Sequence, residues 1–235
     1  MPLSPDEHPI DVLDLSLPLD AATPVYADSR GYADPPTRIE TWVEIGERRG
    51  GFVSPFRVSR LTMGTHTGTH VDAPAHFHAG CPTVSDLPLA LLVGRAAICD
   101  LTGCASDALA VERLAAARPG LNTPGATPLL LTDEGSLGPD AFAEVARLGP
   151  SLVVVAGPLD TDPDCPRTAA LLAAGLWLVT DVSVEAARQV REGDLLVVAP
   201  LPVRDVEGAP CRVLAIRSAH LSHGEGEPVV RSATR

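Results

Sequence analysis

The sequence predicts an α/β domain with a mixed sheet covered by helices, and two observations predict it. From residue 107 onward, short apolar runs alternate with alanine-rich segments of helical character. Near the end, two strand-like runs, residues 195–199 and 211–216, flank a Val206-Glu-Gly-Ala-Pro turn. Strands that close in sequence pair antiparallel, so the sheet is mixed.

The elements follow in order. Residues 10–17, Ile-Asp-Val-Leu-Asp-Leu-Ser-Leu, read as extended. Residues 20–51 are rich in proline, glycine and charge, with weak periodicity, and read as a long loop with a helical turn near 40–48. Residues 56–62 alternate apolar and polar side chains, as a strand does, and run into a histidine cluster. Residues 82–93 have room for a short helix, and 96–101 read as a strand. A helix spans 107–118, capped by Ser106 or Asp107 and stopped by Pro119-Gly120. Buried strands are expected at 129–132 and 152–156, around a helix at 140–148 that starts by Pro139 and ends before Gly149-Pro150. A helix at 167–174 closed by Gly175, a strand at 176–180 and a helix at 184–190 complete the pattern. No break in composition marks a boundary, so residues 1–235 read as one compact domain.

Composition narrows the functions. Hydrophobic residues make up 45% and charged residues 20%, which suits a globular chain and not a disordered one. The longest uncharged apolar run, residues 169–179, is 11 residues long, against about 20 for a membrane span. The acidic, polar start is unlike a secretory signal, so a cytoplasmic protein is expected. The net charge of -12 argues against a nucleic-acid groove and against an anionic membrane surface, which leaves a small-molecule substrate as the expected partner. All 18 basic residues are arginine, which excludes Schiff-base and P-loop lysine chemistry. Five cysteines, an odd number without a C-x-x-C pair, suggest reduced structural thiols.

The chemistry concentrates in Thr65-His66-Thr-Gly-Thr-His70-Val-Asp72-Ala-Pro-Ala-His76-Phe-His78, which holds four of the seven histidines. Gly68, two threonines, Val71 and Pro74 disfavour helix, so the segment is a strand end and loop. On an extended segment, even offsets put His66, His70 and Asp72 on one face. Two imidazoles and a carboxylate converging on a point make a three-ligand site for Zn²⁺, Mn²⁺ or Fe²⁺ with open positions. The competing interpretation is a surface histidine cluster that binds metal adventitiously.

This stretch resembles the H-x-G-T-H-x-D-x-P-x-H-F signature of the metal-dependent cyclase superfamily, which includes bacterial kynurenine formamidases, isatin hydrolases and proteins named as cyclases. Asp14-Leu-Ser-Leu-Pro is similar to that family's opening strand, and Ala199-Pro-Leu-Pro with Gly208-Ala-Pro-Cys-Arg-Val to its closing strands. The resemblance implies a central barrel-like mixed sheet flanked by helices, of the swivelling β/β/α type, in homodimers or homotetramers. It implies His66, His70 and Asp72 as metal ligands, His76 as an acid–base histidine outside the ligand set, and one divalent ion, Zn²⁺ or Mn²⁺. Family members with two metals carry a further His and Glu in the second half; here Thr168 and Thr180 stand at those positions, with Asp181 one residue out of register. A single-metal site is therefore expected.

The activity expected is hydrolysis of a C–N bond in an amide, formamide or lactam, with cyclisation or dehydration of a natural-product intermediate as the rival and a non-catalytic binding protein as a third possibility. Arg167 is a candidate partner for a substrate carboxylate, or else a helix-end surface arginine. With aromatics at only 3%, a flat substrate would rely on a few residues such as Tyr26, Tyr32, Trp42, Phe52 and Phe56. His78, and His220 and His223 near the end, are expected to stand outside the site, and Trp177 in the core.

Overall fold

A computed structural model of the chain describes residues 10–28, 30–104, 106–121, 128–132, 138–157, 159–160 and 164–218. In chain order come β1 (Ile10–Asp14), β2 (Arg38–Val43), β3 (Arg48–Arg49), β4 (Phe52–Val53), β5 (Val58–Thr62), β6 (His70–Asp72), β7 (Val93–Arg95) and β8 (Ala97–Asp100). There follow α1 (Asp107–Leu121), β9 (Leu129–Thr132), α2 (Pro139–Leu148), β10 (Leu152–Ala156), α3 (Pro166–Ala173), β11 (Trp177–Val182), α4 (Val184–Ala187), β12 (Leu195–Pro200) and β13 (Gly208–Ser218).

Nine strands form one sheet in the order β7-β12-β13-β6-β11-β10-β9-β8, with β1 added beside β13. The run from β8 to β11 is parallel, and every other pairing is antiparallel. The two ends of this order, β7 and β8, are consecutive in the chain, with only Ala96 between them. A sheet whose outermost strands are joined by one residue has to curl back on itself, and the result is a nearly closed, barrel-like sheet. The short strand β6 lies near its middle, between β11 and β13.

Alternation along the strands sorts the apolar residues into two cores. Leu130, Leu152, Val154, Val179, Leu196 and Val213 face the barrel interior, with Leu15 and Val71. Leu129, Leu131, Val153, Val155 and Leu178 face outward, under Leu114 of α1, Phe142 and Val145 of α2, and Leu171 and Leu172 of α3. β9 and β10 are buried on both sides, so their sequences are continuously apolar. Trp177 is in the core, 6% exposed.

Two local expectations fail. Residues 40–48 form no helical turn: β2 pairs with β5 as a separate two-stranded unit, and β3 follows it. Ile39, Thr41 and Val43 alternate with Glu40 and Trp42, and pairing with a strand about twenty residues ahead outweighs the local charge pattern. The helix expected to stop at Pro119-Gly120 instead runs on to Leu121. Among the described residues, no helix is long and apolar enough to cross a membrane.

Candidate metal centre

β6 holds the centre. Its His70 pairs in register with Thr180 of β11 and Pro210 of β13, and its Asp72 with Leu178 and Gly208. Two neighbouring strands thus fix the backbone of both residues, and both side chains are buried. His66 precedes the strand, in a turn, so it comes to Asp72 through that turn and not through strand alternation. The turn depends on Gly68, whose φ is +62°; a β-carbon there would lie 2.6 Å from Leu19 Cδ2.

Two imidazoles converge on one carboxylate oxygen. His66 Nδ1 is 2.7 Å from Asp72 Oδ1, and His70 Nε2 is 3.2 Å from the same atom. The Gly68 carbonyl lies 2.7 Å from His70 Nδ1. A carbonyl only accepts, so Nδ1 carries the proton and Nε2 is the nitrogen aimed inward. His76 stacks on His66 with ring centroids 4.0 Å apart, and it remains accessible to solvent. One donor atom each from His66, Asp72 and His76 lies within 4.8 Å of the others. His76, expected outside the ligand set, thus shares a donor cluster with His66 and Asp72.

The electrostatics match this geometry. Burial opposes protonation of His70, but the Asp72 charge and hydrogen bond, with the Gly68 carbonyl, outweigh it and push the pKa up to about 9. Burial likewise opposes charge on Asp72, yet His70 and His66 hold its carboxyl well below the usual range. Burial, and then the neighbouring His66, lower His76 and favour its neutral form. A buried carboxylate needs a cationic partner, and here the partners are imidazoles, which are also metal ligands. His66 Nε2 is buried without a hydrogen-bond partner. Imidazole nitrogens around a desolvated carboxylate, His66 Nδ1 and His70 Nε2 beside Asp72 Oδ1, form a donor set that fits a divalent transition-metal ion.

The second half of the chain adds neighbours that the motif does not contain. Thr180 Oγ1 is 3.2 Å from His70 Nε2. The register of β10 against β11 slips between Val154 and Ala156, so Thr180 and Asp181 together oppose one residue. This bulge, with Asp181 at φ 54°, supplies the shift that Asp181 needs to approach the site. Asp181 Oδ2 comes to 3.7 Å from His70 Nδ1. Burial raises its carboxyl, His70 pulls it down and Asp72 pushes it up, with a net upward result. Glu207, ahead of β13, places Oε1 3.3 Å from His66 Nε2 and accepts a hydrogen bond from Thr65 Oγ1 at 2.9 Å. The only trace of Glu207 in the sequence is its place in the turn before the closing strand.

The remaining candidates lie in other surroundings. Thr168 donates through Oγ1 to Asp160 at 2.7 Å, and Asp160 also accepts from the amides of Arg167 and Thr168, which caps α3. Arg167 donates to the Leu159 carbonyl at 2.8 Å and lies over the Phe142 ring. Trp42, on β2, lies beneath the Arg60 guanidinium, and Phe56 pairs with Phe52; both Trp42 and Phe56 are exposed. His78 approaches the Ala169 carbonyl at 3.4 Å. His220 and His223 lie outside the described residues.

A family model described as "Putative cyclase" matches residues 13–153, more than half of the chain. The chain belongs to this cyclase family. Among curated relatives, this cyclase-family chain is 28% identical over 174 residues to kynurenine formamidase of Bacillus cytotoxicus, covering 67% of the chain and 78% of the relative. Isatin hydrolase A from Labrenzia aggregata has the same fold, with a TM-score of 0.68 at 20% identity over 88% of this chain and 94% of that one. A structure titled as a potential metal-dependent hydrolase with cyclase activity aligns with a TM-score of 0.63 at 26% identity, covering 88% and 98% of the two chains.

Proposed function

We propose that this cyclase-family chain is a metal-dependent hydrolase that cleaves a C–N bond, other than a peptide bond, in a small aryl or cyclic amide, formamide or lactam. The observation that carries the proposal is the buried Asp72 Oδ1, met by His66 Nδ1 at 2.7 Å and His70 Nε2 at 3.2 Å. Kynurenine formamidase among its relatives and isatin hydrolase among its structural neighbours support the reaction class.

His66, His70 and Asp72 are the residues proposed to hold the ion, with Zn²⁺ or Mn²⁺ as the proposed metal; their mixed nitrogen and oxygen donors suit a divalent transition-metal ion. When bound, a divalent ion supplies Lewis acidity toward a carbonyl and lowers the pKa of water. Asp72 contributes charge, and its burial keeps it from being screened. His76 is solvent-accessible beside the cluster, which supports a role in taking a proton from attacking water and returning it to the leaving nitrogen. Thr168 and Thr180 offer only hydroxyls where two-metal relatives would carry His and Glu, and this supports one ion.

The segment from β2 to β5, residues 38–62, exposes Ile39, Trp42, Ile45, Phe52, Phe56 and Leu61, which supports burial against a second copy in a homodimer or homotetramer. Five free cysteines and a net charge of -12 support a cytoplasmic setting and a small-molecule substrate.

The test uses isatin, N-formyl arylamines and cyclic imides, each with Zn²⁺ or Mn²⁺. Asp72→Asn and His70→Ala should lose metal and turnover together. His76→Ala should keep metal and lose about 10²–10⁴-fold in rate. Loss of metal from His76→Ala would make His76 a ligand, as its place in the donor cluster permits. Thr180 against His70 favours one second reading, a cyclase or dehydratase, because it leaves a neutral hydroxyl at the centre. Metal binding without hydrolysis of any panel member supports that alternative.

A further inference from the structure

The two inward-facing imidazoles have opposite orientations. His70 presents Nε2 to Asp72, and its outer Nδ1 is tied to the Gly68 carbonyl. His66 presents Nδ1 to Asp72, and its outer Nε2 faces Glu207 Oε1 at 3.3 Å. For His70 the tautomer is set by a backbone acceptor four atoms of chain away; for His66 the matching acceptor comes from a loop about 140 residues distant. We propose that Glu207 is a positioning residue that holds His66 in its Nε2–H tautomer and so leaves the Nδ1 lone pair free for the metal.

Five features of the structure bear on this. Thr65 Oγ1 donates to Glu207 Oε1 at 2.9 Å, which aims the carboxylate beside the residue preceding His66. The Ala73 amide donates to the Glu207 carbonyl at 2.8 Å, so the backbone of Glu207 is tied to the histidine segment. Gly208 lies directly opposite Asp72 in the β13–β6 register. A β-carbon on Gly208 would come 2.4 Å from His66 Cε1, so only glycine lets this loop lie flat against the ring. The 3.3 Å approach is not aligned as a hydrogen bond, and His66 Nε2 has no other partner to compete for its proton. A metal-bound imidazole gains basicity and a fixed ring orientation from a carboxylate on its outer nitrogen.

The inference rests on the proposed metal centre and does not need the proposed reaction, so its test uses zinc alone. The Zn²⁺ dissociation constant is measured by competition with a chromophoric chelator for the full chain and for Glu207→Ala, Glu207→Gln and Thr65→Val. Histidine ¹⁵N spectra of the zinc-loaded proteins report each ring's tautomer. Glu207→Ala should weaken zinc binding about 10–100-fold and lose the protonated Nε2 signal of His66, while His70 keeps its own pattern. Glu207→Gln keeps an acceptor and should recover part of the affinity, and Thr65→Val should show a smaller loss of the same kind. If Glu207→Ala does not fold, the Gln and Val variants decide. Zinc affinity within threefold of the parent, with unchanged His66 signals, overturns the role of Glu207. A parent protein that takes up no zinc overturns the metal centre instead.

Discussion

Gly208→Ala is a single-methyl test of how tightly the centre is built. The added β-carbon would sit 2.4 Å from His66 Cε1, 2.8 Å from Nδ1 and 2.9 Å from Nε2. Non-bonded carbons settle at about 3.5 Å, so the ring must retreat by about 1 Å. Its retreat is constrained by the stacked His76 ring, 4.0 Å away, and by Asp72 at 2.7 Å. Overpacking of this kind costs about 1–3 kcal/mol, and a 1 Å misplacement of a functional group costs up to about 10²-fold. Chains of this size lose about 2–4 °C of Tm per kcal/mol, so melting should fall by several degrees. Zinc affinity, measured by chelator competition, should fall by at least tenfold. Gly51→Ala is the control, because a β-carbon there meets nothing within 4 Å. A Gly208→Ala protein that melts and binds zinc like its parent refutes the claim that this loop is pressed against a ligand.

The other predictions concern the metal, the core and the thiols. Zinc at about 100 times its dissociation constant should stabilise the fold by about 2.7 kcal/mol, and EDTA should reverse the gain in a melting experiment; a Tm indifferent to both contradicts a metal centre. Leu178 is fully buried beneath the outer helices, so Leu178→Ala should cost about 2–5 kcal/mol in urea unfolding. Burial pushes the Cys99 and Cys211 thiols up to about 12, with Asp72 adding to the shift at Cys211. At pH 8 a disulfide reagent should therefore label exposed Cys81 in the native protein and leave Cys99 and Cys211 unmodified until denaturant is added, as mapped by peptide mass spectrometry.

What could be read from the sequence follows from the range of the interactions. The apolar runs that become β9 and β10 are legible because burial on both faces leaves no polar position to confuse the pattern. The end of α2 is legible because Gly149 adopts φ 73° immediately after the last helical residue. The β2–β5 pair is not, because Glu40, Glu44, Glu47 and Arg48 look helical until Val58–Thr62 is known to lie alongside. Closure of the sheet is hidden for a related reason. Nothing in the sequence around Ala96 shows that the two strands it joins end at opposite sides of a nine-stranded order.

The centre divides along the same line. His66, His70, Asp72 and His76 fall within eleven residues, and chain continuity alone brings them near one another. Other groups around them come from far away: Thr180 and Asp181 from β11, and Glu207 from the turn before β13. The spacing rule places His66 on the same face as His70 for a straight strand, yet the chain turns at Gly68, and His66 instead arrives through that turn. The convergence survives because a glycine at φ +62° aims the carbonyl at His70 and lets the chain reverse. The Asp181 bulge shows the converse. A carboxylate one position out of register in the sequence is carried toward His70 by one extra residue in β11, a displacement that counting along a regular strand cannot contain. The motif therefore identifies which residues meet and, through the Gly68 carbonyl, the tautomer of His70, while the partner of His66 and the surrounding charge come from strands and turns more than a hundred residues away.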